Sequence, residues 1–119
     1  MKTTLVIGAS DNPSRYAYQA IHRLKAKGFA VVALGKKEGE AEGVKIQTGR
    51  PAFQDIYTVT LYINPQHQQE LEEYILNLNP KRIIFNPGAE NSAFEALAEK
   101  KGIETMEACT LTMLAIGAY

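Results

Sequence analysis

The feature that most constrains this chain is its alternation of short, apolar, β-branched runs with amphipathic helical stripes. Thr3 to Ile7 is one such run and stops at Gly8. Ser14 to Lys27 then places Ala17, Ala20, Ile21 and Leu24 at helical spacing, with Gly28 as the stop. Phe29 to Leu34 is a second apolar run. Runs without polar alternation are buried on both faces, which is the mark of parallel strands covered by helices. Strand–helix–strand units of this kind close right-handed into a parallel sheet.

The rest of the chain repeats the pattern. Gly35 to Arg50 is polar and glycine-rich, a loop with room for a short strand around Val44 to Ile46. Pro51 to Asp55 reads as a turn or short helix. Val59 to Ile63 is a strand, and Pro65 suits the first turn of the helix after it, where a missing N–H costs nothing. Leu71, Tyr74, Ile75 and Leu78 form that helix's stripe. Lys81 to Phe85 is a strand ended by Asn86-Pro87-Gly88. Asn91 or Ser92 caps a helix that turns Phe94, Leu97 and Ala98 inward and ends at Gly102. Ile103 to Met106 reads as a last strand and Leu111 to Ile116 as a last helix. The expected architecture is a doubly wound, Rossmann-like α/β sandwich of three layers. Its sheet is expected to have five strands, mainly parallel, in the order 3-2-1-4-5.

Composition narrows the function classes. The 119 residues suit one domain, residues 1–119, large enough to hold a core without staples. Lys plus Arg and Asp plus Glu are 13 each, so the net charge is zero, against a nucleic-acid footprint that needs a basic excess. No apolar stretch reaches the length of a membrane span, and the N-terminal residues lack a signal-peptide pattern. A lone Cys109 builds neither a disulfide nor a cysteine metal cluster, and fits a reducing, cytoplasmic setting. No metal site is expected.

A doubly wound sheet binds its ligand beyond the carboxyl ends of its strands, where the strand order reverses. The residues after each strand therefore carry the functional reading. Gly8-Ala9-Ser10-Asp11-Asn12-Pro13-Ser14-Arg15 is a small-residue turn leading into a helix, suited to a phosphate through backbone N–H groups, the Ser10 hydroxyl and the Arg15 fork. Asp11 would repel a phosphate, so it is expected to face solvent or cap the helix. The second strand ends at Gly35-Lys36-Lys37, where an NAD-selecting fold carries an acidic residue. Lysines there suit a ribose phosphate: the 3′-phosphate of coenzyme A or the 2′-phosphate of NADP. Gly88 allows the backbone of the fourth strand end to approach a ligand. His67 and Cys109 have no recognisable partners for acid–base or nucleophilic work, and neither is expected to support turnover.

Several short blocks together carry a resemblance. They are Val6-Ile7-Gly8-Ala9-Ser10 with Asn12-Pro13, Gly28-Phe29, Asp55-Ile56, Asn86-Pro87-Gly88-Ala89 and Glu107-Ala108-Cys109. In these the chain resembles the small stand-alone CoA-binding proteins, which are similar to the CoA-binding domain of succinyl-CoA synthetase and related acyl-CoA synthetases. The resemblance implies that Gly8, Ala9, Ser10, Asn12 and Arg15 meet the phosphates. It implies that Ile63 and Pro65 flank the nucleotide, with Gly35, Lys36 and Lys37 close to it, and that Pro87, Gly88 and Ala89 line the pantetheine side. Leu34-Gly35-Lys36 replaces a Val-Asn-Pro-like turn of many members, and Phe85-Asn86-Pro87 replaces their Trp and Gln. The synthetases' phosphorylatable histidine and nucleotide-grasping domain do not fit in this length. The implied function is binding of coenzyme A or an acyl-CoA without ligase chemistry. The alternatives are an NADP-using enzyme or enzyme subunit, or a structural subunit with an empty pocket.

Overall fold

The computed structural model of the chain describes residues 2–119. Seven strands form one sheet: β1 (Thr3–Ile7), β2 (Ala30–Leu34), β3 (Gly39–Ala41), β4 (Val44–Gln47), β5 (Ile56–Leu61), β6 (Arg82–Phe85) and β7 (Glu104–Glu107). Their order is β3-β4-β2-β1-β5-β6-β7. All neighbours are parallel except β3 and β4. The helices are α1 (Tyr16–Ala26), α2 (Pro65–Gln68), α3 (Glu72–Asn77), α4 (Ser92–Lys100) and α5 (Thr110–Ala115), with a single 3-10 turn (Gln69–Leu71) between α2 and α3.

Alternate residues of each central strand feed two cores, one per face. Leu5, Ile7, Val59, Leu61, Ile83 and Phe85 pack with Ile75 of α3 and Phe94 and Ala98 of α4. Val6, Ala33 and Ile46 pack with Ala17, Ile21 and Leu24 of α1 and Leu114 of α5. Helices thus cover both faces, and the doubly wound α/β sandwich stands. α1 starts without a side-chain cap, on a turn in which Arg15 N–H donates to the Asn12 carbonyl at 3.0 Å. Asn64 caps α2 with Pro65 at its first position, and Asn91 caps α4. Leu97 departs from its expected inward position: it is 44% exposed on the outer side of α4.

The five-strand expectation is corrected to seven, with one antiparallel pair. The strand expected at Ile103 to Met106 forms one residue later, as Glu104–Glu107, and it extends the sheet beyond β6, with Phe85 opposite Glu107. β3 was hidden because a three-residue strand among charges, with Ala41 its one buried residue, carries no periodic signal. It is made by a two-residue turn in which both Glu42 (φ 52°) and Gly43 (φ 81°) are left-handed, the geometry that matches strand twist in a tight hairpin. A glutamate resists that conformation. Here α1 holds it: Tyr18 OH donates to its carboxylate at 2.8 Å, His22 Nδ1 contacts the other oxygen, and Lys25 Nζ donates to its carbonyl at 2.9 Å. Pro51 to Asp55 forms no helix. Tyr74 OH donates to the Pro51 carbonyl and Phe53 packs on the core, so an irregular segment runs there and bends at Asp55 (φ 58°).

The register places the strand ends in one row. Ile7 pairs with Leu34 on one side and Leu61 on the other; Leu34 pairs with Gln47, and Leu61 with Phe85. The loops that begin at Gly8, Gly35, Thr48, Tyr62 and Asn86 therefore emerge side by side. Strand order reverses between β1 and β5, so the site is expected above those two strands. Among the described residues, no helix is long and apolar enough to cross a membrane, and no group of three His, Cys, Asp or Glu could hold a metal.

Candidate functional site at the strand ends

A cavity of about 250 Å³ opens at the row of strand ends, above β1, β2, β4 and β5. Its floor is apolar, from Ile7, Leu34, Ile63 and Leu71. Gly8 and Gly35 form its walls, and Lys36, Thr48, Arg50, His67 and Glu70 its polar rim. A second concavity, about 340 Å³, lies along the β2–β4 edge near Phe29 and Lys45. It sits away from the switch point, where this architecture binds ligands.

Close approach of the first two loops shapes the cavity. A Cβ on Gly35 would stand 2.6 Å from the Ala9 carbonyl oxygen and 2.9 Å from Ile46 Cγ2, so a side chain there would force the loops apart. Gly8 has φ 91°, and a Cβ on it would meet Ile63 Cγ2 at 2.9 Å and the Tyr62 backbone at 3.0 Å. The glycine after β1 therefore serves contact with the loop after β5, which leaves no room for a side chain. A Gly8→Val substitution would therefore collide with protein before it reaches a ligand.

Most amides of that loop are also committed, those of Ser10 and Asp11 excepted. Gly8 N–H and Ala9 N–H both donate to the Leu34 carbonyl at 3.0 Å. Ser10 Oγ accepts from Asn12 N–H at 3.0 Å, and Asn12 Oδ1 accepts from the amide and hydroxyl of Ser14 at 3.0 and 2.8 Å. The Ser10–Arg15 turn is thus a self-bonded knuckle. Asp11 is exposed and stands over Gly39 rather than capping α1.

Of the residues singled out from sequence, Gly8, Gly35, Lys36 and Ile63 converge on the cavity. Ala9 supports it from behind through Gly35. Asn12, Arg15 and Lys37 are exposed, and they and Ser10 and Pro65 lie outside its lining. Pro87 and Gly88 are exposed at the neighbouring loop, while Ala89 is buried in the core at 2% exposure. His67 lies on the rim, with its backbone N–H bonded to Asn64 Oδ1 at 3.1 Å.

Two amides whose burial the sequence does not flag lock these loops together. Gln68, fully buried, donates from Nε2 to the carbonyls of Ile63 (2.9 Å) and Ala89 (2.7 Å) and accepts from Asn91 Nδ2 (2.9 Å). Asn86 donates to Thr60 Oγ1 (2.7 Å) and the Leu61 carbonyl (2.8 Å) and accepts from Thr110 N–H (2.9 Å). Beside that network the Tyr62 hydroxyl is buried with no hydrogen-bond partner among the described residues, and burial pushes its pKa up to about 12. Cys109 sits half-buried at the start of α5. The Thr112 hydroxyl and the backbone N–H groups of Thr112 and Leu111 lower its pKa against the opposing effect of burial.

The comparisons with known proteins meet this geometry. The CoA binding domain family matches residues 2–115. The chain belongs to that family. A solved structure of an uncharacterized protein is 48% identical, with a TM-score of 0.97, and the match covers 100% of this chain and 98% of that one. A hypothetical protein from Pyrococcus horikoshii OT3 shares the fold at 23% identity and TM-score 0.84, over 93% of this chain and 80% of that one. A dinucleotide forming acetyl-coenzyme A synthetase 1 from Ca. Korarchaeum cryptofilum shares it at 15% identity and TM-score 0.73. That match covers 90% of this chain and 25% of the synthetase. No curated protein matches the chain. Family membership bears out the resemblance carried by the Gly8-Ala9-Ser10 block and its companions.

Proposed function

We propose that this chain binds coenzyme A, or an acyl-CoA, as a stand-alone module spanning residues 1–119 and operating in the cytoplasm, with no ligase chemistry of its own. The observation that carries the reading is the cavity at the switch point, where Gly8, Gly35, Lys36 and Ile63 meet in a chain of the CoA-binding family. Its volume of about 250 Å³ falls below the roughly 300–1,000 Å³ of pockets that enclose a whole small ligand. The cavity thus takes the nucleoside end over its apolar floor. The pantetheine arm runs outside it towards Pro87, Gly88 and Ala89, past Pro65. Ser10, Asn12 and Arg15 flank the phosphates from the knuckle, and Lys37 adds positive charge beside Lys36.

NADP is the second reading, since cations at the end of the second strand suit a ribose 2′-phosphate as well. A thermal-shift screen with coenzyme A, acetyl-CoA, NADPH and ATP separates the two. A ligand at 100 times its dissociation constant stabilises by about 2.7 kcal/mol, or about 10 °C for a chain of this length. The proposal expects that rise with coenzyme A or acetyl-CoA. A rise with NADPH alone overturns it in favour of the second reading, and a rise with none favours a pocket that has lost its ligand.

A further inference from the structure

Gly8 N–H and Ala9 N–H, two of the donors a phosphate could use at this turn, are both held by the Leu34 carbonyl. The Ser10 and Asp11 amides stay free for one phosphate, and a second anion away from that turn needs side-chain cations. Two stand at the rim on adjacent loops: Lys36 after β2, and Arg50 on the segment after β4. Among the described residues, the one contact within 4.0 Å between a basic and an acidic side chain is His22–Glu42, so neither cation has a carboxylate partner. Glu70 is the one acidic residue of the rim, and its side chain is exposed.

Arg50 is oriented while its charge stays uncompensated. Its Nη2 donates to the Glu70 carbonyl at 2.9 Å and its Nη1 to the Gly49 carbonyl at 3.3 Å. Its guanidinium carbon lies 5.8 Å from the centre of the Tyr74 ring. Carbonyls use donors without neutralising charge, and a guanidinium has five. Three remain, in a fork that matches phosphate geometry. The second strand's end is where this architecture meets the ribose of an adenine nucleotide.

We propose that Arg50, with Lys36 beside it, reads a phosphate on the ribose of the bound adenine nucleotide, which in coenzyme A is the 3′-phosphate. This assignment rests on the coenzyme A reading. It makes Arg50 the specificity-determining residue, with Lys36 supplying point charge and Lys37 outside the contact.

The test is calorimetry at one fixed, low salt concentration with two ligand pairs: coenzyme A against dephospho-CoA, and NADPH against NADH. The proteins are wild type, Arg50→Gln, which keeps a donor for the Glu70 carbonyl, Arg50→Lys, which keeps charge without the fork, and Arg23→Gln on α1 as a remote control. Wild type is expected to prefer coenzyme A over dephospho-CoA by roughly tenfold or more. Arg50→Gln erases the preference by weakening coenzyme A alone, Arg50→Lys falls between, and Arg23→Gln matches wild type. Equal losses for both members of the pair, or no loss, overturn the role of Arg50. If wild type binds no coenzyme A but prefers NADPH over NADH in an Arg50-dependent way, the coenzyme A reading fails and the role of Arg50 stands. If neither pair is discriminated, both fail. Should Arg50→Gln not fold, phosphorus NMR on wild type decides. A 3′-phosphate held by the cations titrates at a lower pH when bound than when free, and an unchanged titration overturns the assignment.

Discussion

Replacing Gly35 by alanine isolates the close approach that shapes the cavity. Gly35 has no left-handed φ, so the effect is steric alone. The added Cβ would lie 2.6 Å from the Ala9 carbonyl oxygen and 2.9 Å from Ile46 Cγ2, and neither neighbour retreats freely. Ala9 is tied to Leu34 at 3.0 Å, Gly35 N–H to the Gln47 carbonyl at 2.9 Å, and Ile46 is 1% exposed in the core. Overpacking costs about 1–3 kcal/mol, and opening one of these hydrogen bonds adds about 1 kcal/mol. The lower chain entropy of alanine in the unfolded state returns about 0.4–1 kcal/mol. The net is about 2.3 kcal/mol, a fall in Tm of about 9 °C at this length. Gly102→Ala is the comparison: φ is 79° there but nothing stands within 4 Å, so backbone strain of about 1–2 kcal/mol, less the same entropic return, lowers Tm by about 4 °C. Differential scanning calorimetry measures both. A Gly35→Ala protein as stable as Gly102→Ala would refute the claim that the first two loops are in obligatory contact.

Other parts of the account can be checked independently. Gln68→Leu should cost about 2–3 kcal/mol in urea titrations, since it strands the carbonyls of Ile63 and Ala89 and the Asn91 amide, each formerly bonded. Alkylation of Cys109 should show a pH midpoint below that of the same thiol in urea, and Thr112→Val should raise it, because the Thr112 hydroxyl is the leading cause of the lowered pKa. Contacts with His22 first, then Tyr18, lower the pKa of Glu42, so the carboxylate supports the hairpin above the ordinary carboxylate range and loses that support as pH falls through its depressed value. Relative to the intrinsic rate at each pH, the protection of the Ala41 and Val44 amides should fall over that acid window in wild type, and Glu42→Gln should show the lower protection at neutral pH already.

Sequence pattern carried the layered fold because its central strands are buried on both faces. Ile83, Ile84 and Phe85 have no polar alternation to mislead, the Thr58 and Thr60 that alternate with Val59 and Leu61 are buried too, and Ile75 and Phe94 fall on helical stripes. It fell short where structure is made by few residues or by long-range bonds. β3 has one buried residue, and its turn uses a glutamate that only contacts with α1, some twenty residues earlier in the chain, make acceptable. At the site, Gly8, Gly35, Lys36 and Ile63 were legible as strand ends. Arg50 was not, because it lies past a strand whose end was uncertain. Gln68 looked like one of several polar residues in a helical turn, and Asn86 like part of a plain turn. Their burial depends on loops that meet only in the folded chain.

The central claim is that the nucleotide sits at the strand ends. A nitrogen–proton NMR titration with coenzyme A tests it most directly. The account predicts shifts concentrated at the amides of Gly8, Gly35, Lys36, Gly49, Arg50 and His67, around the cavity above β1 and β2. Shifts centred instead on Phe29, Val44 and Lys45, at the concavity along the β2–β4 edge, or no shifts at all, would contradict it.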